Sequence, residues 1–571
     1  MTKVDLLIKN GKVFNSYLRK FVESDVAIKG GKFYWVACDI KKIEPKKVLN
    51  LGGKYIIPGL VDSHMHIESS MTTPAIMGQN CAKYGTTTII ADDHEIANVA
   101  GIKGLKKFMS QKSPVDIFFA IPSSVPSTTP EMETTGGLIS EKEIIELLKD
   151  PQIICLGEAM NFQGITSDDD SLIKRLIKIC REQRPTMPLE GHCPKYSGED
   201  LAKFIYSGIT SDHTQQTSKS ILEKVENGMF VQLQKKSMTK EVINAVINYN
   251  LFEHVALVTD DIMPDDLLRG HLNLLVKRAI EFGMKPEDAI YISSYTPARR
   301  MGLWDRGAIA PGRVADFIVL NDLQDFEIQS VYKNGILIES EEKAIPEFNF
   351  GPELLHSIKA DKLTVNDIEL KTNLVANGAV IANVIQISKV GTFTKRVQRK
   401  ITVQDHRVLW HKSGLALLFI QERYGKTDGQ LSYGLVEGAL SGKGAIGATW
   451  AHDHHNLMVI GTDLTSMILV QNQLVKQQGG YIAAIDNKIT ANAPLPVGGV
   501  VSQAPISLLG KQIKQVRSAM NQLGYINTNE IMSFSTLSLL VSQEIKMSDK
   551  GMFDVKTQNK IPLFNKDETN E

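Results

Sequence analysis

The chain has 571 residues, with 64 Lys or Arg and 64 Asp or Glu, so its formal net charge is zero. Without a basic excess, the composition gives no support for binding to nucleic acid or to an anionic membrane surface. No apolar run reaches the roughly 18 residues of a membrane span, the N-terminus lacks the apolar core of a signal peptide, and the five cysteines form no C-x-x-C pair. These features predict a cytoplasmic protein of several domains.

Short apolar runs separated by turn signals fill residues 1–55. Asn10-Gly11 and Gly30-Gly31 are dipeptides that favour hairpin turns. The same pattern returns over residues 304–345, for example at Asn334-Gly335. We therefore predict one small β-sandwich domain made of two segments, 1–55 and 304–345, into which the intervening residues are inserted.

Residues 56–303 alternate strand-like apolar runs with helical patterns. Eight such runs in about 240 residues have the size and rhythm of a (β/α)8 TIM-like barrel. The last helix is predicted to begin at Asp265 and to end at Gly283, because an N-cap residue and a terminal glycine flank an apolar periodic segment. The eight runs are Ile56–Ser63, Thr87–Asp92, Ile117–Pro122, Ile153–Glu158, Met187–His192, Ile209–His213, Met229–Leu233 and Val255–Asp260. Residues 346–571 mix helical and strand patterns and are predicted to form a further α+β domain.

Residue types that bind metal ions stand at the ends of five of these runs. In a β/α barrel the active site lies at the C-terminal ends of the strands. His64 and His66 are two residues apart at the end of a strand, so both side chains point to one face. The other four ends carry Glu158, His192, His213 and Asp260-Asp261.

A single Asp or His after a strand is weak evidence for a metal site, because such residues often cap helices or stabilise turns. Five of eight ends at the face where chemistry is expected predict a metal centre. Four imidazoles and two carboxylates exceed the three protein ligands of a catalytic zinc, so a two-metal site with a bridging carboxylate fits better. Such a set, without cysteine, suits Mn(2+), Fe(2+) or Zn(2+). Since divalent ions lower the pKa of bound water, the predicted reaction class is metal-assisted hydrolysis.

Three further motifs contain residue types that could bind a metal or take part in catalysis. His94 and Glu95 follow the second run, where they could contact substrate or cap a helix; we include both among the predicted catalytic residues. His452–His455 could bind a metal by composition, but we predict loop residues near the barrel mouth. His66-x-Glu68 matches the H-x-E of the zinc base deaminases, but the P-C-x-x-C that must follow is missing, which excludes that fold.

Ile57–His66 resembles the signature of the amidohydrolase superfamily, and Thr296–Leu303 and Gly307–Asp316 look like its closing segments. A more specific resemblance is to the adenine deaminase family within that superfamily, and it covers nearly the whole chain. The segments that carry it are His66–Met71, His94–Val99, Gly157–Asn161, Gly191–Pro194, Ser211–His213, Gly442–Asn456, Gly479-Gly480 and Ile545–Gly551.

The resemblance implies a binuclear divalent metal centre, with Mn(2+) expected and Fe(2+) or Zn(2+) as alternatives. Glu158 would bridge the ions, and Asp260 would bind one ion and shuttle protons, so both count as catalytic residues. The implied reaction is hydrolytic deamination of adenine to hypoxanthine and ammonia, which breaks a C–N bond of a cyclic amidine in purine salvage or catabolism. A homo-oligomer and an adenine-deaminase-type C-terminal domain over 346–571 are also implied. The implied ligands are His64, His66, Glu158, His192, His213 and Asp260.

Four places depart from the usual family pattern. Asp93 stands where proline is usual, Thr214 where Glu is usual, Gln234–Ser237 where Arg-Glu-Gly-Ser is usual, and Tyr424 where His is usual. An amidohydrolase for another heterocycle or a cyclic amide is therefore kept as an alternative. A non-catalytic binding or regulatory paralogue with the same fold is the second alternative.

Overall fold

The computed structural model describes residues 1–166, 170–339 and 344–566. Residues 340–343, within the second predicted β-segment, and 567–571, at the end of the predicted C-terminal domain, lie outside the described residues. Within the described ranges, no helix has both the length and the apolar character needed to cross a membrane.

Eight strands, from the chain segments that precede and follow the barrel in sequence, form one hydrogen-bonded sheet. Its first strand changes register between Ile8 and Gly11, which lets it pair with three other strands. Both chain segments contribute to one apolar core that contains Val26, Phe33 and Phe317. The strands are Thr2–Asn15, Lys20–Lys29, Lys32–Ala37, Ile43–Asn50, Tyr55–Pro58, Phe317–Asp322, Glu327–Lys333 and Ile336–Leu337.

The predicted run Ile56–Ser63 is divided at Gly59. Tyr55–Pro58 pairs with Phe317–Asp322 in the small sheet, whereas Leu60–Met65 is the first barrel strand. A Cβ at Gly59 would lie 2.1 Å from the hydroxyl oxygen of Thr87, so a residue without a side chain is needed where the chain leaves one sheet for the other. A domain boundary between residues 55 and 56 would therefore fall inside a strand.

The predicted (β/α)8 barrel is confirmed. A five-stranded and a three-stranded parallel sheet hold the eight strands. The backbone N–H of Thr210 donates to the oxygen of Leu189 at 3.1 Å between the fifth and sixth strands, and the N–H of Asp260 donates to the oxygen of His64 at 3.2 Å where the barrel closes. In order, the barrel strands are Leu60–Met65, Thr86–Ala91, Asp116–Ile121, Ile153–Ala159, Leu189–Gly191, Ser211–Asp212, Phe230–Leu233 and Val255–Leu257.

Helices surround these strands. The prediction of one helix from Asp265 to Gly283 is wrong, because Pro264–Leu267 and Leu272–Glu281 are separate helices. Between them His271 leaves helical geometry and buries its ring, with Nδ1 at 2.9 Å from the hydroxyl of Thr86. The remaining helices of this region are Pro74–Lys83, His94–Met109, Glu141–Leu147, Phe162–Thr166, Leu172–Gln183, Gly198–Tyr206, Ser218–Glu226, Lys240–Asn248, Pro286–Tyr291 and Tyr295–Arg300, with 3-10 turns at Ile67–Ser70, Lys235–Ser237 and Leu251–Glu253.

The C-terminal region contains a ten-stranded and a three-stranded sheet. The larger sheet has Gly378–Ile387, Thr394–Gln404, Arg407–Val408, Ala416–Gln421, Leu431–Glu437, Gly444–Ala448, Leu457–Gly461, Gly480–Ile485, Lys488–Pro494 and Phe564–Lys566; the smaller has Ile545–Ser548, Gly551–Asp554 and Lys560–Ile561. The helices are Pro352–Leu355, Leu464–Lys476, Ile506–Gln522 and Glu530–Ser535, with 3-10 turns at Val365–Ile368, Trp410–Ser413 and Thr536–Ser538.

This region packs directly on the barrel. One apolar cluster contains Met65 and Ile96 of the barrel together with Trp450 and Val497 of the C-terminal region. The indole Nε1 of Trp450 also donates a hydrogen bond to the backbone oxygen of Glu68 at 3.1 Å. The C-terminal region is therefore held against the end of the barrel strands that carries the predicted site.

Candidate active site

The barrel brings all six predicted ligands to the C-terminal ends of its strands. Five of these residues are at most 5% exposed, and the side chain of His192 is 32% exposed. A buried cluster of this kind is expected to bind a metal or to be catalytic, because charged groups are costly to bury without partners. The six are His64, His66, Glu158, His192, His213 and Asp260.

Glu158 lies at the centre of the cluster. Its Oε2 is 2.9 Å from Nε2 of His213 and 3.0 Å from Nδ1 of His192. Its Oε1 is 3.5 Å from Nε2 of His66 and 3.8 Å from Nδ1 of His94. Each carboxylate oxygen therefore faces a different pair of imidazoles, an arrangement that suits a bridging ligand.

Asp260 closes the opposite side of the cluster. Its Oδ1 is 3.5 Å from Nε2 of His66 and 3.7 Å from Nε2 of His64. Its backbone is in the left-handed region at φ 56°, a conformation that non-glycine residues seldom adopt. The side-chain amide of Gln234 donates to Oδ2, so Gln234, one of the residues that depart from the family pattern, fixes the orientation of this carboxylate.

Hydrogen bonds to a neighbouring residue, Asp92, orient two of the proposed ligands. Nδ1 of His66 donates to the backbone oxygen of Asp92 at 2.8 Å, which leaves Nε2 as the atom that faces the cluster. Asp92 also accepts the backbone N–H of Glu158 at 2.7 Å through Oδ2. Asp92 thus positions residues on two strands.

Asp212 stabilises the ends of the fifth and sixth barrel strands. Its carboxylate pairs with the buried ammonium of Lys224 at 2.6 Å and accepts the backbone N–H of Cys193 at 2.8 Å. It also accepts the hydroxyl of Thr214 at 2.8 Å. Thr214, which replaces a usual Glu, therefore supports the strand end that carries His213.

His94 and Glu95 are the first residues of the helix His94–Met109 and lie beside the cluster. Nδ1 of His94 is 3.8 Å from Oδ1 of Asp92, and Nε2 is 3.8 Å from Oε2 of Glu95. Among the described residues, groups able to hold a metal ion include His66 with His94 and Glu95. The structure thus places both predicted residues at the site.

Two residues of the C-terminal region reach the site, in agreement with the prediction that His452–His455 are loop residues near the barrel mouth. Oδ1 of Asp453 is 3.7 Å from Nε2 of His94, and Nε2 of His452 is 3.3 Å from Oε1 of Glu95. Within the described part of the chain, no group of three possible metal ligands contains a residue of 452–455. The sequence predicts the position of this run near the barrel mouth, but its spacing does not indicate which barrel residues it contacts.

The charges of the cluster balance one another. Burial alone would raise the pKa of Glu158, but His213 and the hydrogen bond from His192 outweigh it and hold that pKa well below its usual range. Burial is likewise outweighed at Asp260, whose pKa is lowered by His213 and His66. At His213, burial is outweighed by Glu158 and Asp260, which raise the pKa to about 9. Both carboxylates are thus held ionised, which is the state in which a carboxylate can bind a divalent cation.

Comparison with known proteins extends over the whole chain. Residues 55–338 match the Amidohydrolase family, and residues 391–559 match the Adenine deaminase C-terminal domain. The chain is 64% identical over 568 residues to a protein of Lactobacillus delbrueckii subsp. bulgaricus named adenine deaminase, covering 99% of this chain and 100% of the relative. It is 55% identical over 569 residues to a protein of Oenococcus oeni named adenine deaminase 2, covering 99% of each chain.

Replacement of Lys224 by Met tests whether the buried ion pair between Lys224 and Asp212 stabilises the site. Because Asp212 would then be a buried carboxylate without its cation, we expect the free energy of unfolding to fall by about 3–5 kcal/mol. The control Lys203→Met removes an ion pair to Glu199 in which both side chains are more than half exposed, and should leave the free energy of unfolding nearly unchanged. Urea unfolding measures both, and equal stability of the two variants would contradict the role given to Lys224.

Proposed function

Because this chain belongs to the adenine deaminase family of amidohydrolases, we propose that it hydrolyses adenine to hypoxanthine and ammonia. The observation that carries this proposal is the convergence of four imidazoles on the two carboxylates Glu158 and Asp260. Such a site, in a chain that matches proteins named adenine deaminase along its whole length, supports hydrolysis of a C–N bond in a cyclic amidine.

The six ligands fit a pair of divalent cations. His64, His66 and Asp260 form one group of possible ligands, and His192 and His213 meet at Oε2 of Glu158. Nε2 of His64 is buried and has no hydrogen-bond partner among the described residues, as expected of a ligand atom. The imidazole and carboxylate set suits Mn(2+), which we propose as the resident metal, with Fe(2+) or Zn(2+) as alternatives. When bound, such ions lower the pKa of water and supply a nucleophile at neutral pH.

Asp260 is proposed to move the proton. It is ionised, its Oδ1 faces the imidazoles, and Gln234 holds Oδ2. Oδ1 can therefore accept the proton released when water attacks C6 of adenine and return it to a ring nitrogen or to the departing amino group. General acid/base catalysis requires such a group next to the reacting atoms.

Three of the four departures from the family pattern are compatible with adenine as substrate, whereas the carboxylate oxygens of the fourth, Asp93, are buried without a hydrogen-bond partner among the described residues. Gln234 and Thr214 are engaged with Asp260 and Asp212, and the hydroxyl of Tyr424 donates to the backbone oxygen of His454 at 2.6 Å. Because these three side chains already have protein partners, they support the site rather than introduce new unpaired groups into it. These three replacements therefore give no support to the alternative of another heterocycle as substrate.

We also propose a cytoplasmic location and a homo-oligomeric assembly, as expected from the sequence. The balanced charge is in keeping with a partner list limited to a small purine base and water, without nucleic acid or membrane. Analytical ultracentrifugation of the purified protein would measure the assembly state.

Ammonia release tests the proposed substrate. Protein loaded with Mn(2+) to about two ions per chain, as a two-metal hydrolase requires, should release ammonia and hypoxanthine from adenine, and chelation should abolish this. A panel of purines, pyrimidines and hydantoins serves as the comparison. Turnover of another heterocycle but not of adenine would contradict the substrate, and failure to retain metal after expression with Mn or Fe would favour the non-catalytic alternative.

Asp260→Asn tests the proton transfer. The amide retains the shape of the side chain but cannot take up the proton, so kcat should fall about 10²- to 10⁴-fold while the circular dichroism spectrum is unchanged. The control is Asp266→Asn, since Asp266 pairs with the exposed side chains of Lys235 and Arg269 away from the ligands. Steady-state kinetics of both variants measures the effect; near-normal kcat for Asp260→Asn would refute the role.

A further inference from the structure

Four buried titratable residues form an interdomain cluster beside the metal ligands. His94 and Glu95 come from the barrel, and His452 and Asp453 come from the C-terminal region. Each is at most 5% exposed. Asp453 faces His94 at 3.7 Å, and His452 faces Glu95 at 3.3 Å. Each C-terminal residue thus lies against one barrel residue of opposite charge type.

His94 joins this cluster to the catalytic carboxylates. Its Nδ1 is 3.8 Å from Oε1 of Glu158, while its Nε2 faces Asp453. The ring of His94 is also 4.7 Å from that of His66, measured between centroids. His94 therefore lies between the proposed bridging residue and the C-terminal region, with one ring nitrogen directed to each.

Several polar atoms of the cluster have no hydrogen-bond partner among the described residues. They are Nδ1 of His94, both carboxylate oxygens of Glu95 and Oδ2 of Asp453. Buried polar atoms in native proteins are nearly always hydrogen-bonded, so such atoms beside a catalytic centre indicate a ligand. A purine base, with its ring nitrogens and amino group, has the donors and acceptors that would satisfy them.

The loop that carries His452 and Asp453 is firmly anchored. Nδ1 of His452 lies 2.8 Å from the hydroxyl of Ser535, and the hydroxyl of Ser538 donates to the backbone oxygen of His452 at 2.7 Å. The side-chain amide of Asn456 donates to the backbone oxygen of Thr134 in the barrel at 2.9 Å. These bonds give the two side chains a defined position relative to the barrel.

We propose that Asp453 and His452 are positioning residues of the active site, through which the C-terminal region orients His94 and Glu95 toward the substrate. This inference rests on the proposed adenine hydrolysis. The carboxylate of Asp453, 3.7 Å from Nε2 of His94, favours a ring orientation in which Nδ1 points to the reacting centre. His452 presents Nε2 to one oxygen of Glu95 and leaves the other oxygen for the base. The C-terminal region is thus part of the catalytic site rather than an appended domain.

A double-mutant cycle tests whether Asp453 acts through His94. Asp453→Asn, His94→Asn and the double variant are compared with the wild type in kcat and KM for adenine, bound metal and melting temperature. Loss of a residue that orients a catalytic group typically costs about 10- to 100-fold in activity, so we expect that loss of kcat for Asp453→Asn, with unchanged metal content and melting temperature. In the His94→Asn background, Asp453→Asn should change kcat less than about 2-fold, because its target is gone.

Calorimetric measurement of hypoxanthine binding repeats the double-mutant cycle without turnover. The effects of the two substitutions on the free energy of binding should again be non-additive. The matched control is Asp463→Asn, since Asp463 caps the helix Leu464–Lys476 of the same region and Asn caps equally well; it should leave kcat unchanged. The conservative change Asp453→Glu should restore part of the activity lost in Asp453→Asn.

The possible failures are distinguishable. Additive effects of the two substitutions, or a loss of kcat in Asp453→Asn that follows loss of metal or of folded protein, would overturn this inference while wild-type turnover of adenine leaves the proposed function intact. A wild-type protein that is fully metallated but releases no ammonia from adenine would overturn both.

Discussion

The buried carboxylate of Glu158 is the group on which the rest of the site depends. A negative charge inside a barrel is unfavourable unless positive charge surrounds it, and here four imidazoles face its two oxygens. Asp92 holds the strand of Glu158 in place, because its side chain accepts the backbone N–H of Glu158. The carboxylate of Asp92 packs so closely on this strand that a Cβ at Gly157 would lie only 2.3 Å from its Oδ2. The need to neutralise this carboxylate links the barrel geometry to the binding of divalent cations.

A second set of interactions keeps the ligands in place. Asp212, neutralised by Lys224, ties the loops that carry His192 and His213, and the closure of the barrel at Asp260 sets this carboxylate beside His64 and His66. The C-terminal region covers the same end of the barrel and supplies two side chains to it. The chemistry therefore depends on contacts between residues more than 350 positions apart in the chain, as between His94 and Asp453.

The ligand set could be predicted from the sequence because strand ends in a β/α barrel meet at one face. Residues at those ends, such as His66 and Glu158, could thus be grouped from local patterns alone. Other features depend on long-range packing that no local pattern records. Examples are the pairing of Asp212 with Lys224, the approach of Asp453 to His94, and the break in the last long helix at His271, whose ring packs against Thr86.

In the proposed site, Glu158 joins two divalent ions. Anomalous diffraction at the manganese edge from crystals of the Mn-loaded protein would locate both ions. We expect two anomalous peaks on either side of the Glu158 carboxylate, one beside His64 and His66 and the other beside His192 and His213. A single peak, or peaks that make no contact with Glu158, would contradict this arrangement.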